Sequence, residues 1–153
     1  MKKISKILLP LFIVVILTGC SSKNYKSKTC SLSLQNTEDN YTLTLTRDIY
    51  YDGEYVMNTV SHDKIEASNN AILNKYEKQF EDVKKQYDGI KYYDVTISNN
   101  GGMLDAVTKV DYTKVDTNKI IKITNNNDLF EKDGKLKVSK LIKSYEDQGL
   151  ECK

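Results

Sequence analysis

The sequence has no tryptophan, one proline, one arginine and one histidine, and the scarcity of histidine narrows the chemistry most. A Ser-His-Asp or Cys-His set would have to use His62, which the hairpin described below places near a strand end as a packed or surface residue. Cys30, Cys152 and His62 lie too far apart in the sequence for a zinc site. There is no phosphate-binding loop and no Gly-x-Gly-x-x-Gly motif. The sequences around Gly53 and Gly134 lack the oxygen ligands of a calcium loop. We therefore expect a protein that is not an enzyme and uses no metal or cofactor.

The basic residues are almost all lysine, 22 against the single Arg47. Asn, Ile and Tyr are also abundant, a pattern typical of an AT-rich genome. Lysine richness then follows from composition and does not indicate a nucleic-acid partner.

Long apolar runs are also missing, since the longest, ILLPLFIVVIL from Ile7 to Leu17, spans 11 residues and contains Pro10. A membrane-spanning helix needs about 20 apolar residues. The run follows the positive segment MKKISK, so the N-terminus is typical of a signal peptide and not of a transmembrane helix.

The signal peptide ends in LTGC, Leu17 to Cys20. This motif resembles the lipobox of bacterial lipoproteins, and the resemblance implies cleavage after Gly19 and a diacylglycerol on Cys20, in many bacteria with a further acyl chain on the new amino terminus. The alternative is an ordinary signal peptide with an accidental cysteine. We predict a signal peptide at 1–19, a lipidated flexible tether at 20–28 and one extracytoplasmic domain at 29–153. Two or three acyl chains anchor a protein stably to the cell membrane.

The mature chain is almost neutral. Without Lys2, Lys3 and Lys6, 20 basic residues face 21 acidic ones, a net charge near −1. This weakens the case for an anionic partner bound by overall charge.

Export leaves Cys30 and Cys152 in a compartment that permits disulfides, with Cys20 consumed by lipid. We predict that they pair, although two free thiols or a redox pair are the alternatives. A redox pair usually has the close spacing Cys-x-x-Cys. Gly149 is predicted to end the last helix with Leu150 packed on Tyr145, which would turn Cys152 back toward the domain.

The hydrophobic pattern predicts the α+β class, an antiparallel sheet of about five strands packed by two main helices. Alternation predicts a strand around Cys30 and two hairpins, with turns at Asp52-Gly53 and Asn100-Gly101. The first turn would set His62 opposite Leu43, and Val60 opposite Leu45 on the core face. The second would set Ile97 opposite Leu104 and Val95 opposite Ala106. Three- and four-residue spacing predicts helices at 69–88 and in VSKLIKSYEDQ, and a short helix after Asp116.

Five residues are candidates for ligand or partner contact. The predicted first hairpin sets Arg47 opposite Asn58 on an otherwise apolar face, and an arginine there could hold a carboxylate of the protein or of a ligand. A β-bulge that turns Arg47 outward, or a position at the sheet rim, is the alternative. Tyr50, Tyr51 and Tyr55 cluster at the hairpin tip, where tyrosine can be a binding anchor or simply a strand residue.

The chain also resembles small bacterial lipoproteins of the YehR-like kind. The resemblance is carried by the lipobox, by Thr29-Cys30 opening the first strand, by VDYTKVD at 110–116 and by the ending YEDQGLECK. It implies an antiparallel sheet with packed helices and a surface location, and it supplies no catalytic residue. We expect a non-catalytic binding or interaction module of the cell envelope whose partner is an envelope protein. An accessory lipoprotein that binds a small ligand is the alternative, favoured by a partly polar pocket near Arg47.

Overall fold

The computed structural model describes residues 24–153; the predicted signal peptide and Cys20 lie outside this range. Within it the chain forms six strands and three helices: β1 (Lys26–Asn36), β2 (Tyr41–Asp52), β3 (Tyr55–Ala67), α1 (Asn70–Gln86), β4 (Tyr93–Asn99), β5 (Met103–Asp111), α2 (Thr117–Thr124), α3 (Val138–Asp147) and β6 (Glu151–Cys152). The α+β class is confirmed. The predicted count of about five strands and two main helices is corrected to six and three, because the two-residue β6 forms only by pairing with β1 and the short α2 is a regular helix.

All six strands form one antiparallel sheet in the order β4-β5-β3-β2-β1-β6. β1 begins at Lys26, so the end of the segment assigned to the tether already pairs with β2. One face of this sheet, here called the helix face, carries the buried side chains of Cys30, Ile49, Ile65 and Leu104 and packs against the helices. Alternate residues point the other way and form the open face.

The first hairpin has a different register from the predicted one. The turn lies at 53–54, one residue later than predicted, since Asp52 pairs with Tyr55 and Gly53 takes the positive φ of 58°. The register then shifts between Tyr50 and Tyr51, which pair with Asn58 and Val56. The extra residue, Met57, is a β-bulge that reverses the face of every later β3 residue.

This bulge overturns three predicted pairs. Arg47 lies opposite Ser61 and not Asn58, and His62 lies opposite Thr46 and not Leu43. Val60, predicted on the core face, pairs with Asp48 on the open face. The residues that reach the helix face in their place are polar, beginning with the buried Thr59.

The second hairpin also turns later than predicted. Ile97 pairs with Ala106 instead of Leu104, and Val95 with Thr108 instead of Ala106. The longer loop is closed by the Asn100 N–H donating to the Met103 carbonyl at 2.9 Å. A shift of two residues leaves every side chain on its predicted face.

Helix α1 forms where the sequence predicts it, with Asn69 as its N-cap accepting from the Ala71 N–H. Its apolar side packs on one half of the helix face through Leu73, next to Ile65 and Leu104. Helices α2 and α3 pack on the other half in a separate cluster. Because the two clusters are separate, α1 and the α2–α3 pair cover the sheet side by side.

The C-terminus confirms the predicted closure. The N–H groups of Leu150 and Gly149 donate to the carbonyls of Tyr145 and Glu146 at 3.0 and 2.9 Å, the Schellman pattern. Cys152 then pairs with Cys30 in the sheet and is bonded to it through a disulfide. The last helix is thereby linked covalently to the first strand.

Candidate functional site

A cavity of about 250 Å³ lies between the helix face of the sheet and the covering segments. Its deep end is formed by buried apolar side chains, among them Val110, Leu136 and Leu141. Ile120 and Leu129 add to the apolar part of the lining. The other lining groups are hydroxyls, side-chain amides and aromatic rings: Thr59, Ser61, Tyr87, Tyr93, Thr108, Tyr112, Thr124, Asn126, Phe130, Ser144, Tyr145 and Gln148. A concave apolar space with convergent polar groups is the usual form of a small-ligand site.

The floor of the cavity is polar because of the bulge at Met57. After it, Thr59 and Ser61 point to the helix face, where apolar residues would normally pack. Ser61 pairs with Thr108 of β5, so hydroxyls of adjacent strands lie side by side. The Met57 carbonyl accepts the Tyr112 N–H at 2.8 Å and so fixes the backbone of another lining residue.

The mouth of the cavity lies between the ends of α2 and α3, since Thr124 and Gln148 are the lining residues exposed to solvent. The Thr124 hydroxyl donates to the Ile120 carbonyl at 3.0 Å, and Gln148 Nε2 donates to the Ser144 carbonyl at 2.9 Å. The Thr124 oxygen also accepts the Asn126 N–H at 3.4 Å. It keeps one lone pair, and the Gln148 amide oxygen keeps both, for a hydrogen bond from an occupant.

Four tyrosines supply the complementary donors. Burial raises the pKa of Tyr93 and of Tyr112 well above the usual value for a phenol. Burial also raises the pKa of Tyr145, although the nearby Arg47 guanidinium opposes this shift. These phenols stay protonated at any physiological pH and can donate hydrogen bonds. Tyr87 and Tyr93 stack in parallel, with ring centroids 4.3 Å apart, and form one wall.

Arg47 lies on the helix face next to the cavity, and its charge is used within the protein. It forms an ion pair with Asp63, and both side chains are mostly buried. Its Nη1 also donates to the carbonyls of Thr46 and His62 at 3.0 and 3.1 Å. The predicted carboxylate partner of Arg47 is thus an internal one. Its cross-strand neighbour Ser61 lines the cavity, which places the cavity beside Arg47.

The other predicted contact residues are not brought to this site. Tyr50 and Asn58 pair across the hairpin on the open face, where they line a shallow groove of about 540 Å³ together with Tyr25 and Tyr92. Tyr92 is one of the exposed large side chains, at 47%. This groove and the cavity are on opposite faces of the sheet.

Tyr51 and Tyr55 remain at the hairpin tip. Tyr51 pairs with Lys26 and Val56 and is half-buried. Lys135 Nζ lies 5.2 Å from the centre of the Tyr55 ring, a cation–π contact that connects the hairpin to the loop before α3. The tip tyrosines therefore have structural contacts and do not form one surface with Arg47.

Sequence reasoning missed the residues that line the cavity. Thr59 and Ser61 alternate with Val60 and His62, so their hydroxyls suggested a solvent-facing side of the strand. Ser144 and Gln148 are four residues apart at the polar edge of α3, a spacing compatible with an exposed helix side. The available signal was Tyr145, on the apolar face of the helix predicted to pack on the sheet.

The described part of the chain contains neither a metal-binding cluster nor a membrane-spanning helix. Within residues 24–153, no group of three or more His, Cys, Asp or Glu side chains could hold a metal ion. No helix in the same part of the chain is long and apolar enough to cross a membrane.

Fold and cavity together define an α+β domain with an open antiparallel sheet, helices on one face, and a cavity between these layers. Solved structures share this fold. The NMR structure of the E. coli YehR protein has a TM-score of 0.56 at 17% identity, covering 85% of this chain and 93% of that one. The NMR structure of a protein from Streptococcus pneumoniae TIGR4 has a TM-score of 0.54 at 15% identity, covering 100% and 96%. The YehR-like resemblance is thus confirmed for the fold. No protein-family model and no curated protein matches the sequence.

Proposed function

We propose that this protein is a lipid-anchored, extracytoplasmic binding protein that holds a small ligand in the cavity and performs no catalysis on it. The observation that carries the proposal is the cavity itself, with buried apolar residues at its deep end and hydroxyls on its floor. Packing of the polar Thr59 into the core has a cost unless its hydroxyl is satisfied. The Tyr112 phenol is a partner for that hydroxyl, as the Tyr145 phenol is for Ser61, so these polar groups are held at the floor of the cavity where an occupant can meet them.

The position of the cavity supports the ligand alternative over a protein-docking surface. A partly polar pocket beside Arg47 is the feature expected of a small-ligand site, and Ser61 and Tyr145 provide it. The candidate tyrosines at the hairpin tip are half-buried, without the broad exposed patch that marks a protein interface. The ligand is therefore enclosed between sheet and helices.

The tether places this site close to the membrane. Lys26, where β1 begins, lies six positions after Cys20. A chain of six residues spans at most about 20 Å when fully extended. An acylated Cys20 would hold the domain within that distance of the headgroups, suited to capturing a ligand released at or passing through the envelope.

A second candidate rests on the groove of the open face. It combines Tyr25, Tyr50 and Tyr92 with Asn58 and lies at the end of the domain where the tether enters. Tyrosine and asparagine are common in protein interfaces. This groove would bind an extended segment of an envelope protein. Crosslinking in the native cell through a photoreactive residue at Tyr92 tests it, and the absence of a specific adduct would contradict it.

The ligand proposal is tested by native mass spectrometry of the protein purified under non-denaturing conditions from its own cells. We expect a bound small molecule that is lost in Ser144→Leu, where the new side chain enters the cavity. Ser139→Leu is the matched control, because Ser139 is exposed on the same helix. If the same bound molecule is found on Ser144→Leu as on the unmodified chain, cavity binding is refuted.

The anchor has a separate test. Replacement of Cys20 by serine should release the protein from the membrane fraction and abolish labelling with radioactive palmitate. If Cys20→Ser stays in the membrane fraction and is labelled as before, the anchor is elsewhere.

A further inference from the structure

The lining of the cavity excludes charged ligands. Within residues 24–153, none of the side chains that contribute to its wall is Asp, Glu, Lys, Arg or His. The nearest charges are Arg47 and Asp63, which neutralise each other. An ionised carboxylate, phosphate or ammonium group placed in this space would lose its water without gaining a partner of opposite charge.

The polar groups that are present suit hydroxyls. Thr124 and Gln148 have committed donors to backbone carbonyls and offer acceptor oxygens. The Tyr112 and Tyr145 phenols remain protonated and are hydrogen-bonded to the Thr59 and Ser61 hydroxyls, so each phenol–hydroxyl pair keeps one O–H donor for an occupant. A group that both donates and accepts, as a hydroxyl does, satisfies both kinds of partner, whereas a ligand with only carbonyl or only amine groups leaves one kind unpaired.

The walls also limit the shape. The stacked pair of Tyr87 and Tyr93 is closed on itself, with ring centroids 4.3 Å apart, so a flat aromatic base cannot insert between these two rings. Polar groups come from the floor through Thr59 and Ser61 and from the helix side through Ser144. A ring with hydroxyls around its whole periphery meets partners above and below.

The volume of the cavity limits the size of the ligand. Sites for drug-sized ligands occupy about 300–1,000 Å³, and this cavity is smaller, at about 250 Å³. Its space equals the share of roughly eight water molecules at ~30 Å³ each. One sugar ring fits this volume.

From these four features, and resting on the proposed function, we infer that the cavity takes an uncharged, polyhydroxylated ring of the size of one monosaccharide. The deep apolar wall of Val110, Leu136 and Leu141 contacts the carbon skeleton. The hydroxyl floor and the phenols bind its oxygens. Charged sugars should bind more weakly, because a charged group would lose its water on entering a cavity whose lining has no side chain of opposite charge.

The test is isothermal titration of the chain carrying Cys20→Ser, which removes the acylation site and keeps every described residue. The probes are D-glucose, D-galactose and N-acetyl-D-glucosamine as neutral sugars, with D-glucosamine and D-glucuronate as charged counterparts of the same size. Adenine and indole represent flat and apolar occupants. We expect at least one neutral sugar to bind, and its charged counterpart to bind at least tenfold more weakly.

Two variants locate the binding. Ser144→Leu should abolish it and Ser139→Leu should leave it unchanged. Gln148→Ala, at the exposed C-cap position of α3, should weaken it severalfold through loss of the acceptor oxygen. A melting temperature for each variant separates lost binding from lost folding.

The outcomes distinguish the two proposals. Equal binding of charged and neutral sugars, or binding of adenine or indole alone at the cavity, overturns the ligand class and leaves the ligand-binding function standing. Sugar binding that Ser144→Leu and Gln148→Ala do not affect overturns the assignment to this cavity. If no probe binds and native mass spectrometry also finds the cavity empty, both proposals fail.

Discussion

Removal of the disulfide between Cys30 and Cys152 should cost the domain a large part of its stability. The bond joins residues 122 positions apart in the sequence. In the chain-entropy treatment, closing a loop of this length lowers the entropy of the unfolded chain enough to stabilise the fold by about 5 kcal/mol. Stabilities of whole domains are roughly 5–15 kcal/mol, so loss of the bond is expected to bring the protein near the threshold of folding.

The disulfide also holds the C-terminal strand β6 against β1. β6 has only two residues, and the Thr29 and Lys153 backbones exchange two hydrogen bonds across it at 2.9 and 3.1 Å. So short a strand does not hold its place by itself. We expect the C-terminus beyond Leu150 to detach from β1 when the bond is absent, with Cys30 left in the core as a buried thiol.

The assay compares Cys152→Ala with the unmodified chain and with Glu151→Ala, a control in the same strand that keeps the disulfide. A loss of about 5 kcal/mol corresponds to a melting temperature lower by roughly 15–20 °C for a domain of this size. Urea unfolding should show the same loss, and reduction of the unmodified chain should reproduce it. A change below about 1 kcal/mol in Cys152→Ala would refute the loop-closure reasoning.

Three further predictions concern the remaining structure. Arg47→Ala leaves the mostly buried Asp63 without its ion pair and should cost about 2–4 kcal/mol in urea unfolding; a loss equal to that of an exposed Lys→Ala control contradicts this role of the pair. Gly134→Ala should cost about 1–2 kcal/mol, because Gly134 has φ +79° and an added Cβ would lie 2.6 Å from Thr117 Oγ1; unchanged stability would show that the loop adapts. Since burial raises the pKa of Tyr112, its protonated form stabilises the fold fully below pH 10, and this contribution is lost as the pH rises further. Absorbance at 295 nm should therefore show a second, delayed titration phase in the folded protein that is absent in urea, and a single phase near pH 10 in both would contradict the burial.

Much of the fold could be predicted because its determinants are local. Alternation around Cys30 identifies β1, three- and four-residue spacing identifies α1, and Gly149 followed by Leu150 identifies the Schellman end of α3. That local turn directs Cys152 back toward the domain, and this is why its pairing with Cys30 could be predicted. The two-residue β6 could not be predicted, since it exists only through its partner strand.

The first hairpin shows where local reasoning fails. The Met57 bulge is not marked by glycine, and the sequence around it also fits a regular strand. Because the bulge reverses the face of Thr59, the polar floor of the cavity lies on the helix face, although the alternating pattern assigns these residues to the solvent side. The cavity also depends on packing between β3, α2 and α3, whose separation along the chain leaves no sequence signal of their distances.

The measurement that tests the central claim most directly is a ¹H–¹⁵N NMR titration of the chain carrying Cys20→Ser with a neutral monosaccharide. If the cavity is the binding site, saturable shifts should concentrate at the amides of Ser61, Tyr112 and Ser144, while those of Thr44 and Lys109 on the open face stay unchanged. Shifts confined to the open face, or none at saturating sugar, would contradict the account.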